Sequence, residues 1–494
     1  MIRTTISLML LALAGATPAA DWPMFLGDAA RSNHSSETGL LQKWPEGGPP
    51  LLWDISGLGA GHSTPVVAQG VVYTIGRVGA DEKRKGGKYT LSATDLRSGD
   101  LRWQVPCERV AQSTPAIAGD RLILGGTDQI YCHQLSDGQL LWQARVSELA
   151  GLDGDANQVW RKIGPTNPPN SASPLICQGL VIATPALPGV QVAALDLATG
   201  KLAWAVKDLD LDLYAPAASS ALGFEVDGKP VVVAVLSDHL VGIDATTGER
   251  LWLKRMMDTS SAGRFYTQLN TPTWHDGFLV WLPGYHGKNA QAFRVEDGGR
   301  TLTRAWSKTD FAIKVKHEGA IAVDGLLYGS KGQVDGADLV AAPEVMVQGA
   351  KVKDYPEDWL KAWPRRPGCH KFPPHGAKSD FGDWTAGEWK GHELKGCLVA
   401  VDVATGELRG LRFGANLSAH CGHLHLYADG RLYSGPSGTL PQLLLIEPGP
   451  AMRVCGRLVV PEHDKVGYPS PVVADKLLLI RLGDRLLAYD IARK

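Results

Sequence analysis

One phrase recurs along this chain and limits what it can fold into more than any other feature. It has the form Ala-x-Asp, a Gly-containing turn, then Trp eight residues after the Asp. Copies are ATDLRSGDLRW (93–103), CHQLSDGQLLW (132–142), ALDLATGKLAW (194–204) and GIDATTGERLW (242–252). Weaker ones are AFRVEDGGRTLTRAW (292–306), AVDVATGELRG (400–410) and LLIEPGPAMRV (444–454), and AYDI (488–491) ends near the last residue. Each reads as a strand, a hairpin turn and a second strand closed by an aromatic.

A second phrase lies upstream of each, with Ser/Thr-Pro leading into two short apolar strands. Examples are HSTPVVAQGVVYTIG (62–76), QSTPAIAGDRLILGG (112–126), SASPLICQGLVIATP (171–185), NTPTWHDGFLVWLPG (270–284) and YPSPVVADKLLLIRLG (468–483), with degenerate versions starting near Tyr214, His317 and Gly422. Together the phrases make eight units of four antiparallel strands, the pattern of an all-β, eight-bladed β-propeller. The eighth unit lacks its final strand, and PPLLWDI (49–55) is an orphan strand that can complete it and leave the ring no free end. Trp53, Trp103, Trp142, Trp204, Trp252 and Trp306 are read as bridges between blades, large enough to bury much area while giving an N–H to a neighbouring turn. The repeated Asp95, Asp196, Asp244, Asp402 and Asp490 are read as caps of the Gly turns and not as catalytic carboxylates.

Charge narrows the partners. The chain has 50 Lys+Arg against 51 Asp+Glu, a formal net charge of −1, which argues against nucleic acid and anionic membranes as partners. Residues 1–20 place Arg3 before an apolar run, Ile6 to Ala14, and end in Ala19-Ala20, the layout of a secretory signal peptide. Residues 21–494 are then expected to be one exported domain, periplasmic or secreted, monomeric and without a transmembrane segment. Of seven cysteines, Cys369 and Cys397 flank one insertion and form the expected disulfide, while the others read equally well as buried thiols.

The Ala-x-Asp-x-x-Thr-Gly-x-x-x-Trp phrase resembles the tryptophan-docking motif of the pyrroloquinoline-quinone (PQQ) repeat superfamily, which contains PQQ-dependent alcohol dehydrogenases and the assembly lipoprotein BamB. DWPMFLGDAARSN and GLLQKWPEGGPPLLW (39–53) resemble the start of exported PQQ-like repeat proteins abundant in Planctomycetes. The resemblance spans 21–494 apart from one insertion and implies the eight-bladed fold. The dehydrogenase branch carries a vicinal Cys-Cys pair against PQQ, and here no two cysteines are adjacent, so the chain departs from that branch. It also lacks the lipidated Cys of BamB and any Cys-x-x-Cys-His haem motif.

A site is expected at one mouth of the central channel. The positions three before each Ser/Thr-Pro proline form a ring of His62, Gln112, Ser171, Tyr214, Leu269, His317, Gly422 and Tyr468. The longest connections, 143–170 with Trp160, Arg161 and Lys162, and the insertion at about 333–396 with Trp359, Trp363, Trp384, Trp389, His370, His375 and His392, are expected to overhang the same mouth. SAHCGHLHLY (418–427) places His423 and His425 on one face of a strand, with His420 nearby, a spacing that suits a divalent metal. The bland alternatives are a solvated rim, a loop with its own small core, and histidines packed without metal.

Two functions fit these residues. One is a scaffold binding a protein or polysaccharide on the loop face. The other is an enzyme, quinoprotein-like or assisted by metal or His/Tyr chemistry on carbohydrate, with His317 or Tyr468 as base and Arg161, Arg264 or Lys316 neutralising a carboxylate beside His62 and Tyr214.

Overall fold

The computed structural model describes residues 21–494 except 81–85, 108–112, 126–127, 153–171, 188, 208, 210, 212–218, 237–238, 257–269, 283–288, 310, 314–318, 331–343, 348, 355–396, 414–424, 436–441 and 462–468. Its strands make eight antiparallel sheets arranged as an eight-bladed β-propeller. Blade 1 runs outward through Val66–Ala68, Val71–Ala80, Gly86–Asp95 and Leu101–Pro106. Blades 2 to 7 begin on innermost strands Ala116–Ala118, Leu175–Cys177, Leu222–Val226, Thr273–His275, Ile321–Val323 and His425–Ala428. Blade 8 consists of Val472–Ala474, Leu477–Leu482, Arg485–Asp490 and, as its outer strand, the amino-terminal Leu51–Ile55. Trp53 pairs with Ala488 there, so the two ends of the chain close the ring as the orphan strand requires.

The repeated Asp and Trp do what their chemistry suggests. Asp95 Oδ1 accepts the amides of Arg97 and Ser98 at 2.9 Å, and Asp244 Oδ1 those of Thr246 and Thr247 at 2.9 Å. These bonds hold the turn whose glycine takes positive φ, as Gly248 does at 77°. Five of the six Trp send their indole N–H to the next blade's turn: Trp53 to the Leu96 carbonyl at 3.1 Å, Trp142 to Leu197 at 3.2 Å, Trp204 to Ala245 at 3.0 Å, Trp252 to Gly299 at 2.9 Å and Trp306 to Val403 at 2.8 Å. In blade 1 the Tyr73 hydroxyl takes the equivalent carbonyl, Leu135, at 3.2 Å, and Trp103 packs beside Tyr73 with ring centroids 5.9 Å apart.

Blades 6 and 7 lack this Trp, and each gap is filled differently. Gly456 occupies the register position in blade 7, and a Cβ on it would lie 2.5 Å from the Cβ of Trp44. Trp44, whose amide donates to Cys455 at 3.1 Å, therefore supplies from the amino-terminal segment the aromatic that the blade lacks. In blade 6 Gly410 admits the Pro450 carbonyl, 2.0 Å from where a Cβ would be. Outside its outer strand Leu408–Phe413 lies the hairpin Met346–Val347 and Ala350–Lys351, which pairs parallel to Gly410 and Leu411. This hairpin is the described part of the long insertion. It extends the rim of blade 6 and does not overhang the channel, because Val347 and Val352 bury themselves in the core shared with Leu411 and Val401.

A strap from the amino-terminal segment lines the channel. Residues 22–35 run along the inner edges of the innermost strands. Trp22 exchanges both amide bonds with Val67 at 2.8 and 2.9 Å, Pro23 accepts from Ile117 at 2.7 Å, Ala29 from Gly223 at 2.7 Å, and Asn33 from Tyr427 at 3.0 Å. His34 Nε2 lies 3.0 Å from the Ala322 carbonyl and Ser35 Oγ donates to Val473 at 2.9 Å. An innermost strand has a row of backbone groups facing the axis with no ladder partner, and this strap satisfies them. Arg31, fully buried, fastens it by donating to Phe25, Pro174 at 2.9 Å and Ala221 at 3.1 Å.

Candidate functional site at the channel mouth

One end of the channel is where the innermost strands begin and where connections between blades and between second and third strands leave. There the Ser/Thr of the Ser/Thr-Pro phrase are buried between neighbouring blades. The Ser470 amide donates to Thr64 Oγ1 at 3.0 Å, Thr64 to Thr114 Oγ1 at 3.1 Å, Thr114 to Ser173 Oγ at 2.9 Å and Ser173 to Ser220 Oγ at 2.9 Å. Across the ring Ser219 Oγ donates to Asn270 at 3.0 Å and Thr273 Oγ1 to Ala320 at 2.7 Å. The hydroxyls thus stitch blade to blade. The following proline fixes φ at a strand start where an N–H would lack a ladder partner. Sequence reasoning used this phrase to count blades and passed over its hydroxyls, although their recurrence beside every clear proline was the signal.

His62 is the one residue of the predicted ring that lies among the described residues, and the arch carrying it is tightly built. Gly59 and Gly76 touch backbone to backbone, a Cβ on Gly76 falling 2.1 Å from the Leu58 carbonyl, and Ala60 pairs with Arg77. Beneath it Arg481 donates to Gly59 at 2.8 Å and Ser63 at 2.9 Å. Burial lowers the pKa of Arg481, like that of Arg31, to about 10, desolvation outweighing the nearby Asp484 and Asp28. Neither guanidinium has a carboxylate in ion-pair contact among the described residues.

Arg161, Tyr214, Arg264, Lys316, His317 and Tyr468 lie outside the described residues, as do Gln112, Ser171, Leu269 and Gly422. So do His420 and His423, the predicted signal at 1–20, and the aromatic part of the insertion with Cys369. His425 is described. It opens the innermost strand of blade 7, fully buried, and its carbonyl accepts from the Asn33 side chain of the strap. Desolvation pushes its imidazole down to about 4, so it sits neutral in the wall. Cys132, Cys177 and Cys455 are free thiols. Burial raises Cys132 to about 11, which suits the buried-thiol reading. No helix among the described residues is long and apolar enough to cross a membrane.

Comparison with known proteins adds a lineage to this geometry. A family model described as outer membrane protein assembly factor BamB matches residues 85–341. BamB of Yersinia pestis is 25% identical over 236 residues, 47% of this chain and 50% of that protein, so the chain spans about half the length of the curated relatives it matches. Among solved structures, BamB from Moraxella catarrhalis superposes with a TM-score of 0.52 at 11% identity, covering 90% of this chain and 98% of the other. A europium-containing methanol dehydrogenase gives 0.58 at 13% identity, covering 94% and 90%. Identities this low speak for the fold alone.

Proposed function

This chain belongs to the PQQ-repeat propeller family described as outer membrane protein assembly factor BamB, and on that premise we propose that it is an exported scaffold which binds a protein or polysaccharide partner at the His62 mouth. The observation that carries this reading is the asymmetry of the channel. The strap lines the inner edges of the strands, while every connection between blades leaves from the end where the innermost strands begin. The belt hydroxyls serve the wall, and the Arg31 and Arg481 guanidiniums are buried against backbone carbonyls, so recognition falls to the rim. Export rests on residues 1–20.

A photo-crosslinking residue at His62, compared with one at Gln69 in the turn that ends the innermost strand of blade 1, tests the reading in cells exporting the full chain. A discrete adduct from position 62 alone is expected, and adducts only from position 69 would overturn it. The second reading, an enzyme, is favoured by the rigid arch that Arg481 builds under His62, since reacting groups need positioning. Native mass spectrometry of the exported protein separates the two: a non-covalent metal or quinone adduct, lost in His423→Ala, supports the enzyme.

A further inference from the structure

The outer edges of blades 8, 1 and 2 carry five of the seven large apolar side chains exposed among the described residues, the others being Leu149 and Val459. Leu51 and Leu52 are 48% and 47% exposed, Leu101 54%, and Leu140 and Leu141 46% and 41%. All five stand just before the closing Trp. At the same places in blades 3 to 6 the exposed residues are Ala203, Arg250, Arg304, Ala305 and Arg409.

The leucines form one arc because the Trp–Gly contacts join their strands. The Gly99 turn of blade 1 lies against Trp53 and Ile55, a Cβ there falling 3.0 Å from Trp53, and the Gly138 turn of blade 2 lies against Trp103 and Val105 at 2.7 and 2.9 Å. Each turn leads within two residues to the next leucine. Most of the ionic groups beside them are already paired, Arg485 with Asp54, Arg102 with Asp95 at 2.7 Å and Arg97 with Asp475, while Asp100 accepts from Ser98 at 2.7 Å. Such a rim favours an uncharged occupant.

Two further facts say what kind. Five half-exposed leucines offer on the order of 400 Å², short of the roughly 800 Å² per side of a stable dimer. The outer strand of each of these blades also ends its sheet, with one edge unpaired among the described residues. Blade 6 demonstrates that such an edge accepts another strand, since Met346–Val347 pairs along its outside.

We propose that the outer edge of blade 1, Leu101–Pro106, takes up an extended segment of a partner protein with apolar residues at alternate positions and no net charge, flanked by the leucines of blades 8 and 2. This surface is separate from the His62 mouth and stands whether or not the mouth reading does.

The test uses the exported full chain and a fluorescein-labelled ten-residue peptide of alternating valine and threonine, followed by anisotropy. Saturable binding is expected. It should weaken at least tenfold in Leu52→Glu/Leu101→Glu/Leu140→Glu and with the same peptide N-methylated at alternate amides, which blocks edge pairing on the unaltered protein. Ala203→Glu/Thr303→Glu should leave it unchanged. Absence of saturable binding, or binding that survives both the triple substitution and N-methylation, overturns the proposal. So does a dimer in sedimentation velocity that the triple substitution dissolves, because a second copy would then own the arc.

Discussion

His425 shows how one buried side chain ties the ring to pH. Its imidazole titrates near 4 in the folded chain and at its ordinary 6.5 once unfolded, and burial shifts His34 and His133 in the same direction. Below 6.5 the unfolded chain therefore holds a proton that the fold refuses. The stability that neutral His425 contributes is complete above about pH 6.5 and declines by about 3 kcal/mol as pH falls toward 4. Urea denaturation at pH 7, 5.5 and 4.5 should show this decline, and His425→Gln should flatten it; an unchanged slope would remove His425 as its source. Trp204 and Gly248 make a second residue-scale case. Trp204→Ala should cost about 3–5 kcal/mol in thermal denaturation. Gly248→Ala would place its Cβ 2.7 Å from the indole at a φ of 77°. It should therefore cost clearly less when Trp204 is already Ala than in the parent chain. Both residues were legible as a repeating pair, because Asp, Gly and Trp each have one job in the turn. His425 was legible as a histidine but not as a buried one, since H-x-H looks the same on a wall as at a metal centre.

At the scale of elements, the strap is the largest departure from what the repeats suggested. Arg31→Met would leave the Phe25, Pro174 and Ala221 carbonyls buried without their donor, at about 3 kcal/mol. Hydrogen exchange should then rise first at Ile117 and Gly223, whose amides bond the strap, while the outer strand Leu101–Pro106 keeps its protection. Uniform loosening of inner and outer strands would refute the strap as a separable element. Trp44→Ala should act at a distance in sequence, raising exchange in the outer strand Arg453–Val459 of blade 7, because Trp44 packs on Gly456. Neither role shows locally. Residues 22–44 have no strand periodicity of their own, and their partners lie up to hundreds of residues away.

For the whole molecule, closure and charge are the relevant quantities. The ring closes through backbone pairing of Leu51–Ile55 with Arg485–Asp490 and through the indole bond of Trp53 to Leu96. Its ion pairs, such as Arg300 with Glu249 at 2.8 Å and both about half exposed, are surface contacts worth little. Raising salt from about 0.05 to 0.5 M should hence move stability by less than about 1 kcal/mol, measurable by urea denaturation in both buffers. A larger loss would mean that charge, not burial, holds the blades together.

What the sequence determined by itself is the architecture: eight units, their strand order, the closing strand from the amino terminus, and the Asp, Gly and Trp that join neighbours. All of these rest on interactions within a repeat or between adjacent repeats, so periodicity exposes them. Tertiary structure alone decided that residues 22–35 strap the inner edges of the strands, that the Ser/Thr hydroxyls form a belt, that Trp44 and a hairpin fill the two blades without Trp, and that Arg31 and Arg481 are buried. Each of these joins segments that meet only when the ring closes, and contacts made once around an axis leave no period in the chain.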